Sequence, residues 1–536
     1  LEAEDLIKYL RGLDVDDIDG DGDSLEARDW IFADPLHSRP LPLNYGARGG
    51  YSEANPAIYI AVASNDGLMH FVRNTDTGGT ELGVESWAFA PRSTLGAVAT
   101  LRANGSAVAH PYTVDGSPVA YIEDYNNNGT IEVGENAYLY FGLRRGGKAY
   151  YALDVSNPEA PSLLWTIDKS GDFAELGMTF STPRIGTVNL GSGPQPVLIF
   201  AGGYDANKDL RVGVGTDDTE GNAIYVVDAR TGSLIWKAIG GTGASTSTVF
   251  QHPNLLDSIP STVSIADSDG NYLTDRVIVG DTGGNVWRAD IGGANTSAWK
   301  LTRLAALGRH SEAGKANDRR FFHRPDIVQT EDENGAYDAV VIGSGDRPDP
   351  LDLGGVVDNW FYMIKDRNVA PTLGADLNLT PTDLGDVTDN CIQENGVCAA
   401  DLTHGWRLEL ETHGEKSLAT PLTIAGRVFF TSYVPSGNAT ASNTCAPPEG
   451  QGYLYAVSLQ NASSVINYDT TDDDPNYAGE ASTKSDRSTE LNSPGIPAEV
   501  VSIPPNQILR PDLLIEDIDV STRWRTFWYL SENSDL

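Results

Sequence analysis

The sequence predicts an all-β protein built as a β-propeller, and three observations carry that prediction. Proline-led stretches, each opening a β-rich unit, recur with a period of roughly 70 residues. Each unit supplies about four apolar runs separated by turn residues and often closed by an aromatic. Helical spacing of apolar residues is nearly absent beyond the N-terminal stretch. Four-stranded units repeated radially leave only short sheet edges exposed, which is what a propeller achieves. A row of separate β-sandwiches is the alternative, but the period and the repeated Gly-Asp turns favour blades.

In chain order, residues 3–11 (AEDLIKYLR) have the apolar spacing of one short helix. The acidic run that follows alternates Asp17, Asp19 and Asp21 and then reaches Asp23, like the first half of an EF-type loop. The closing Glu of such a loop would fall on Arg28, with Asp29 as a late ligand, and an acidic linker is the competing reading. Residues 1–29 are therefore a helix plus an acidic, potentially calcium-binding segment, and residues 30–536 a single propeller domain.

Six units open at Pro40, Pro111, Pro183, Pro260, Pro325 and Pro421. They continue through runs such as IYIAVASNDGLMHFV, YLYFGLRRGGKAYYALDV and RVIVGDTGGNVWRADI. A seventh is assembled after Pro494 from EVVSI, DLLIEDI and RWRTFWYL, either alone or with help from the N-terminus. Segments at about 368–401, 436–451 and 466–494 read as long inserted loops, too polar to pack. His37 and His323 both stand just before a first-strand proline, a repetition that predicts a packing role.

The stretch Ser264 to Asp290 carries the sharpest chemistry. Asp267, Asp269 and Asn271 alternate, Leu273 offers a backbone carbonyl, and Asp275 closes the run. Calcium takes six to eight hard oxygen ligands from such a loop, and Gly270 with Asn271 suits the turn that gathers them. Strand-like Arg276–Val279 and Val286–Asp290 follow at once, so the loop is joined directly to a hairpin. A second loop places Asp124, Asn126 and Asn128 at positions one, three and five, Thr130 at seven and Glu135 at twelve, matching the EF-hand pattern. Its two Asn ligands lower the charge and hence the expected affinity. Asx-rich surface turns are the alternative for both loops.

The 536 residues hold 37 basic and 75 acidic side chains, a net charge of −38. That surface repels nucleic acid and anionic membrane and attracts divalent cations or basic partners. No apolar run reaches the roughly 18 residues that a membrane-crossing helix needs. The chain opens at Leu1 without Met, as a fragment or processed form would. Cys391 and Cys398 are near enough in sequence to pair, but Cys445 is an equal partner and the pairing is open. No H-E-x-x-H, nucleophile elbow, Walker loop or dinucleotide fingerprint occurs, which argues against an enzyme of those classes.

Six stretches, ADPLHSRP, IYIAVASNDGLMHFV, RGGKAYYALDVSNPEAPSLLW, IVGDTGGNVWRADI, VVIGSGDRPDPL and GEKSLATPLTIAGRVFFTSY, resemble in order the C-terminal domain of PilY/PilC-type type IV pilus biogenesis factors and tip-associated adhesins. The resemblance implies a modified β-propeller that is exported through the periplasm to the pilus tip or outer cell surface. It implies a non-enzymatic role in pilus extension and retraction, twitching motility and attachment. Its partners would be minor pilins at the tip and a host-cell or surface receptor. It also implies that the family's calcium loop falls on Asp267, Asp269, Asn271, the Leu273 carbonyl and Asp275. Adhesive functions of a longer N-terminal part do not carry over, because this chain lacks that part. A quinoprotein-like enzyme is the competing class, since VVDARTGSLIW resembles a pyrroloquinoline quinone dehydrogenase blade, although no two cysteines adjoin here. A carbohydrate-binding or scaffold propeller is the third.

Overall fold

A proline directly before a strand fixes φ where the missing N–H costs no ladder bond, and this chain uses it to start blades. Pro40, Pro118, Pro183, Pro325 and Pro421 each precede the first residue of a first strand. The second blade therefore opens at Pro118 and not at Pro111, whose apolar neighbours Tyr112 and Val114 mimic a strand start but pair with no sheet. The computed structural model describes residues 2–105, 109–209, 213–351, 357–370, 374–393, 398–436, 449–469, 471 and 483–518.

Among these residues the strands form seven sheets, taken in chain order as blades 1 to 7. Blade 1 holds Leu41–Asn44, Ile58–Ser64, Leu68–Thr75 and Glu81–Phe89; blade 2 holds Val119–Glu123, Asn136–Gly142, Ala149–Asp154 and Ser162–Asp168. Blade 3 runs Arg184–Asn189, Pro194–Ala201, Ala223–Asp228 and Leu234–Gly240, with Val249–His252 added in parallel. Blade 4 comprises Ser264–Ala266, Arg276–Gly280, Asn285–Asp290 and Lys300–Ala306. Blade 5 comprises Asp326–Asp332, Gly335–Gly343, Trp360–Asp366 and Gly405–Glu409, with Gly385–Asp386 in parallel at its edge. Blade 6 is Leu422–Ile424, Arg427–Val434, Gln451–Ser458 and Ser488–Pro494, and blade 7 is Val501–Ile503, Gln507–Leu509 and Ile515–Asp517. The seventh blade thus comes from the tail, as the sequence predicts; its RWRTFWYL stretch lies outside the described residues. The predicted short helix is Glu2–Leu10, and a second, Val98–Ala103, was not foreseen.

First strands of successive blades approach one another, which places them around the axis. The second and third strands are covered on both faces, so Asn285–Asp290 and Trp360–Asp366 are buried at every residue. Outer strands face solvent on one side and alternate accordingly, as in Ser162–Asp168. Six apolar clusters each lie between two consecutive blades: Phe89 edge-on to Phe141 at 6.2 Å joins blades 1 and 2, and Phe361 stacked on Phe430 at 3.7 Å joins blades 5 and 6. Between blades 7 and 1 no such cluster occurs among the described residues. There Arg39, before the first strand of blade 1, pairs with Glu499, before that of blade 7.

Three tryptophans fasten one blade to the next. Trp87, Trp165 and Trp406, on the fourth strands of blades 1, 2 and 5, donate their indole N–H to the carbonyls of Pro158 (2.9 Å), Ala229 (3.1 Å) and Leu459 (2.9 Å) on the following blade. Gly232 leaves room for this contact: a Cβ there would stand 2.8 Å from the Trp165 ring, and its φ of +70° is left-handed. Gly232→Ala is expected to destabilise the domain by about 2 kcal/mol or more, from overpacking and backbone strain together, as a shift of the urea midpoint would register.

Two of the polar insertions pack more than their composition suggests. Ser488–Pro494, inside 466–494, is the fourth strand of blade 6, where an outer position tolerates polar side chains. In 368–401, Leu379 and Leu384 are buried between blades 4 and 5, Val387 and Cys391 between blades 5 and 6, and Cys391 is disulfide-bonded to Cys398. Of the insertion at 436–451, residues 437–448, Cys445 among them, lie outside the described residues.

Candidate metal centre

The Asp267–Asp275 segment is the turn between the first and second strands of blade 4. Its coil is written by short side chains that bond their own backbone. Asp267 accepts from the N–H groups of Gly270 (2.8 Å), Asn271 (3.1 Å) and Tyr272 (2.6 Å), and Asn271 from that of Leu273 (2.7 Å). Two residues take left-handed backbone, Gly270 at φ +76° and Tyr272 at φ +65°. The result brings one oxygen from each of Asp267, Asp269 and Asp275 within 4.8 Å of the others. Asp275 is buried and accepts from the N–H (3.0 Å) and hydroxyl (2.6 Å) of Ser268, a positioning residue that the alternating pattern did not single out. Burial raises its carboxyl pKa, so the ionised form is disfavoured there until a cation compensates it. The Leu273 carbonyl accepts no hydrogen bond among the described residues. Three carboxylates, an amide oxygen and a free carbonyl are hard oxygen donors of the kind calcium takes.

The turn is anchored on both sides. Thr274 donates its N–H to Thr187 of blade 3 (2.7 Å) and accepts from the Thr187 N–H through its hydroxyl (3.2 Å). On the other side Asp275 hands over to Arg276, whose side chain is 1% exposed and pairs with Asp338 of blade 5. Arg288, equally buried, bridges Asp290 (2.7 Å) and Asp366 of blade 5 (2.5 Å), and Asp290 lies 3.8 Å from Arg276. Calcium at the turn would therefore abut a buried ion-pair network spanning blades 4 and 5.

Asp124 to Glu135 is the corresponding turn of blade 2, so both candidate loops leave the same end of their first strands. Asp124 accepts from Gly129 (2.7 Å), Asn126 from Asn128 (2.9 Å) and Asn128 from Thr130 (2.8 Å), and Gly129 sits at φ +74°. Glu135, buried, accepts from the N–H groups of Tyr125 (3.0 Å) and Glu132 (2.9 Å). The Asn126 and Asn128 amides donate to Glu132 (3.2 and 3.4 Å), which the loop pattern passed over. Its carboxylates are not among the groups that gather within 4.8 Å of one another.

In the N-terminal segment Asp17, Asp19 and Asp21 do gather, whereas Asp23 stands apart and accepts from the Leu25 N–H (2.9 Å). A second grouping, Asp14, Asp19 and Glu26, forms because Leu13 pairs with Ala27 and the Asp14 N–H donates to the Glu26 carbonyl (2.9 Å). Asp14 is 4% exposed with Oδ1 unpartnered, and the field of Asp21 and its acidic neighbours raises the Glu26 pKa. Asp14 and Glu26, missed by the loop spacing, thus offer the better-placed donors, and neither Arg28 nor Asp29 joins them. Asp217, Asp257 and His310 also converge, but Lys208 and Arg309 both reach Asp257 at 2.6 Å, so cations of the chain already neutralise that group.

Residues 42–306 match the model of the PilY1 beta-propeller domain family. A type IV pilus biogenesis factor PilY1 homolog of Xylella fastidiosa is 26% identical over 429 residues, covering 76% of this chain and 26% of that protein. The type IV pilus biogenesis factor PilY1 of Pseudomonas aeruginosa is 25% identical over 468 residues, covering 74% and 36%. The chain thus spans about a quarter to a third of the length of these curated relatives. The crystal structure of the P. aeruginosa PilY1 C-terminal domain superposes with a TM-score of 0.56 at 19% identity, over 87% of this chain and 93% of that one. With seven sheets in ring order, a family match across the first four blades and relatives aligned along most of its length, this chain belongs to the PilY1-type β-propeller family.

Proposed function

We propose that this chain is the calcium-responsive propeller domain of a type IV pilus biogenesis factor, exported to the cell surface. There it sets the balance of pilus extension and retraction, and with it twitching motility and attachment. The reading is non-enzymatic. Its partners are pilus components, minor pilins at the tip among them, and a surface or host receptor. The observation that carries it is the convergence of Asp267, Asp269 and Asp275 at a turn whose last acid leads directly into the buried Arg276. Asn271 and the Leu273 carbonyl complete the donor set, and bound calcium would supply charge neutralisation where like charges otherwise repel. The protein's part is to hold Asp275 under Ser268 and to couple the turn to blades 3 and 5, so that bound and free states present different surfaces to a partner.

The test has two arms. Calorimetric calcium titration of the chelator-treated chain should lose one binding event in Asp275→Ala. Bacteria carrying that substitution in the full-length factor should assemble pili but lose the calcium dependence of retraction. An unchanged titration removes calcium from this turn, and normal retraction with lost binding removes the regulatory role.

A further inference from the structure

Although the chain carries a net charge of −38, one cavity in it is strongly basic. It lies on the axis, has a volume of about 370 Å³, and takes lining residues from the start of every blade, from Leu41 in the first to Glu499 before the seventh. Residues 118–119, 184, 262, 324 and 420 mark the blades between. It therefore opens at the opposite end of the first strands from the acidic turns. Five arginines line it, Arg39, Arg144, Arg184, Arg324 and Arg347, with His37 and His323, while Glu499 is the one acid in the lining.

Part of this charge is matched inside the chain. Arg39 pairs with Glu499, and Asp115 accepts from Arg144 at 3.4 Å and faces His37 Nδ1 at 2.9 Å. Arg184, Arg324 and Arg347 have no ion-pair or hydrogen-bond partner among the described residues, and Arg184 Nε and His323 Nε2 are buried without one. Other buried guanidinium groups of the chain have partners: Arg276, Arg288 and Arg320 each meet an aspartate, and Arg487 donates to the carbonyls of Thr388, Asn390 and Cys391. Burial lowers the pKa of Arg347 and, with the field of Arg324, that of Arg184; burial together with the fields of Arg347, Arg144 and Arg39 pushes His323 down to about 3. Such a cluster costs stability unless something anionic meets it. Phe180 and Phe322 add apolar wall to the same cavity.

We propose that the axial cavity binds a small organic polyanion, whose carboxylate or phosphate groups engage Arg184, Arg324 and Arg347 while its carbon frame rests on Phe180 and Phe322. A guanidinium fork matches either oxyanion with two parallel N–H donors, and the cavity has the volume of a small-molecule site. His323, which the sequence assigns to packing, supplies a further polar atom at the wall. This proposal does not depend on calcium at the Asp267–Asp275 turn.

The test is calorimetric titration of the chelator-treated chain with succinate and, separately, with inorganic phosphate, each against sodium chloride of equal ionic strength. One saturable site is expected for at least one probe, and the preferred probe identifies the oxyanion. Arg324→Gln and Arg347→Gln should each weaken it by about tenfold or more. Without probe, both variants should unfold at the same urea concentration as the parent chain or a higher one, because repulsion is relieved. Asp275→Ala should bind the probe unchanged. The proposal is overturned if neither probe binds beyond the chloride control, or if the double variant binds as tightly as the parent chain.

Discussion

Replacing Asp275 by Asn should abolish the calcium stabilisation proposed for its turn while leaving the calcium-free domain as stable as before, or slightly more so. The two halves of this expectation come from one fact, the burial of a carboxylate. Asp275 is 6% exposed and its pKa is raised by that burial, so in the absence of a cation its charge works against the fold. Asn keeps the size and an acceptor oxygen for the Ser268 hydroxyl and removes the charge. With calcium the ranking reverses: at free calcium a hundredfold above the dissociation constant, the parent turn gains about 2.7 kcal/mol and the variant gains little. Urea unfolding in chelator and in excess calcium measures both halves. A variant that still gains the full increment would move the metal to another loop.

Arg276→Met should have the larger effect on the fold itself. Its guanidinium compensates Asp338 and lies 3.8 Å from Asp290, and these acids are 7% and 8% exposed. Met fills much of the volume but leaves a buried carboxylate unpaired, which costs about 3–5 kcal/mol. The double variant Arg276→Met/Asp338→Leu should recover most of that loss, since replacing both partners of a buried pair by apolar groups is often near neutral. Equilibrium unfolding of both variants distinguishes a pairing role from mere packing: equal losses would show that the pair itself contributes nothing. Because Arg276 follows Asp275 in the chain, calcium titration of the single variant also reads how firmly the turn depends on its anchor.

The ring was legible in the sequence wherever local chemistry repeats. Proline before a first strand, paired apolar runs and a closing tryptophan recur, and six blades followed from them, with the seventh assembled from the tail. Pro111 misled because a proline among apolar residues looks the same whether or not a sheet awaits it, and only pairing with Asn136–Gly142 selects Pro118. The strand Ser488–Pro494 was read as loop because an outer edge needs few apolar side chains. In the candidate centre the alternation Asp267, Asp269, Asn271, Asp275 was visible because those donors lie within one turn. Asp14 and Glu26 were not, since the bridge between Leu13 and Ala27 that joins them is a tertiary event. The basic cavity was invisible for the same reason: its five arginines come from four blades, and composition reports only the acidic excess.

The uneven joints of the ring decide how it comes apart. Blades touch mainly their neighbours, so stability is close to a sum of blade and interface contributions, as in a linear array. Among the described residues six joints are apolar, whereas the one closing the circle is Arg39 with Glu499, an exposed pair of the kind worth less than about 1 kcal/mol. Counted over the described residues, the circle is in energetic terms nearly an open chain whose ends meet. On the joints of the described residues, fraying is expected to begin where blade 7 meets blade 1 and to move inward from both sides. Blades 3 to 5, which carry the Asp267–Asp275 turn and the buried arginines behind it, are the last to open.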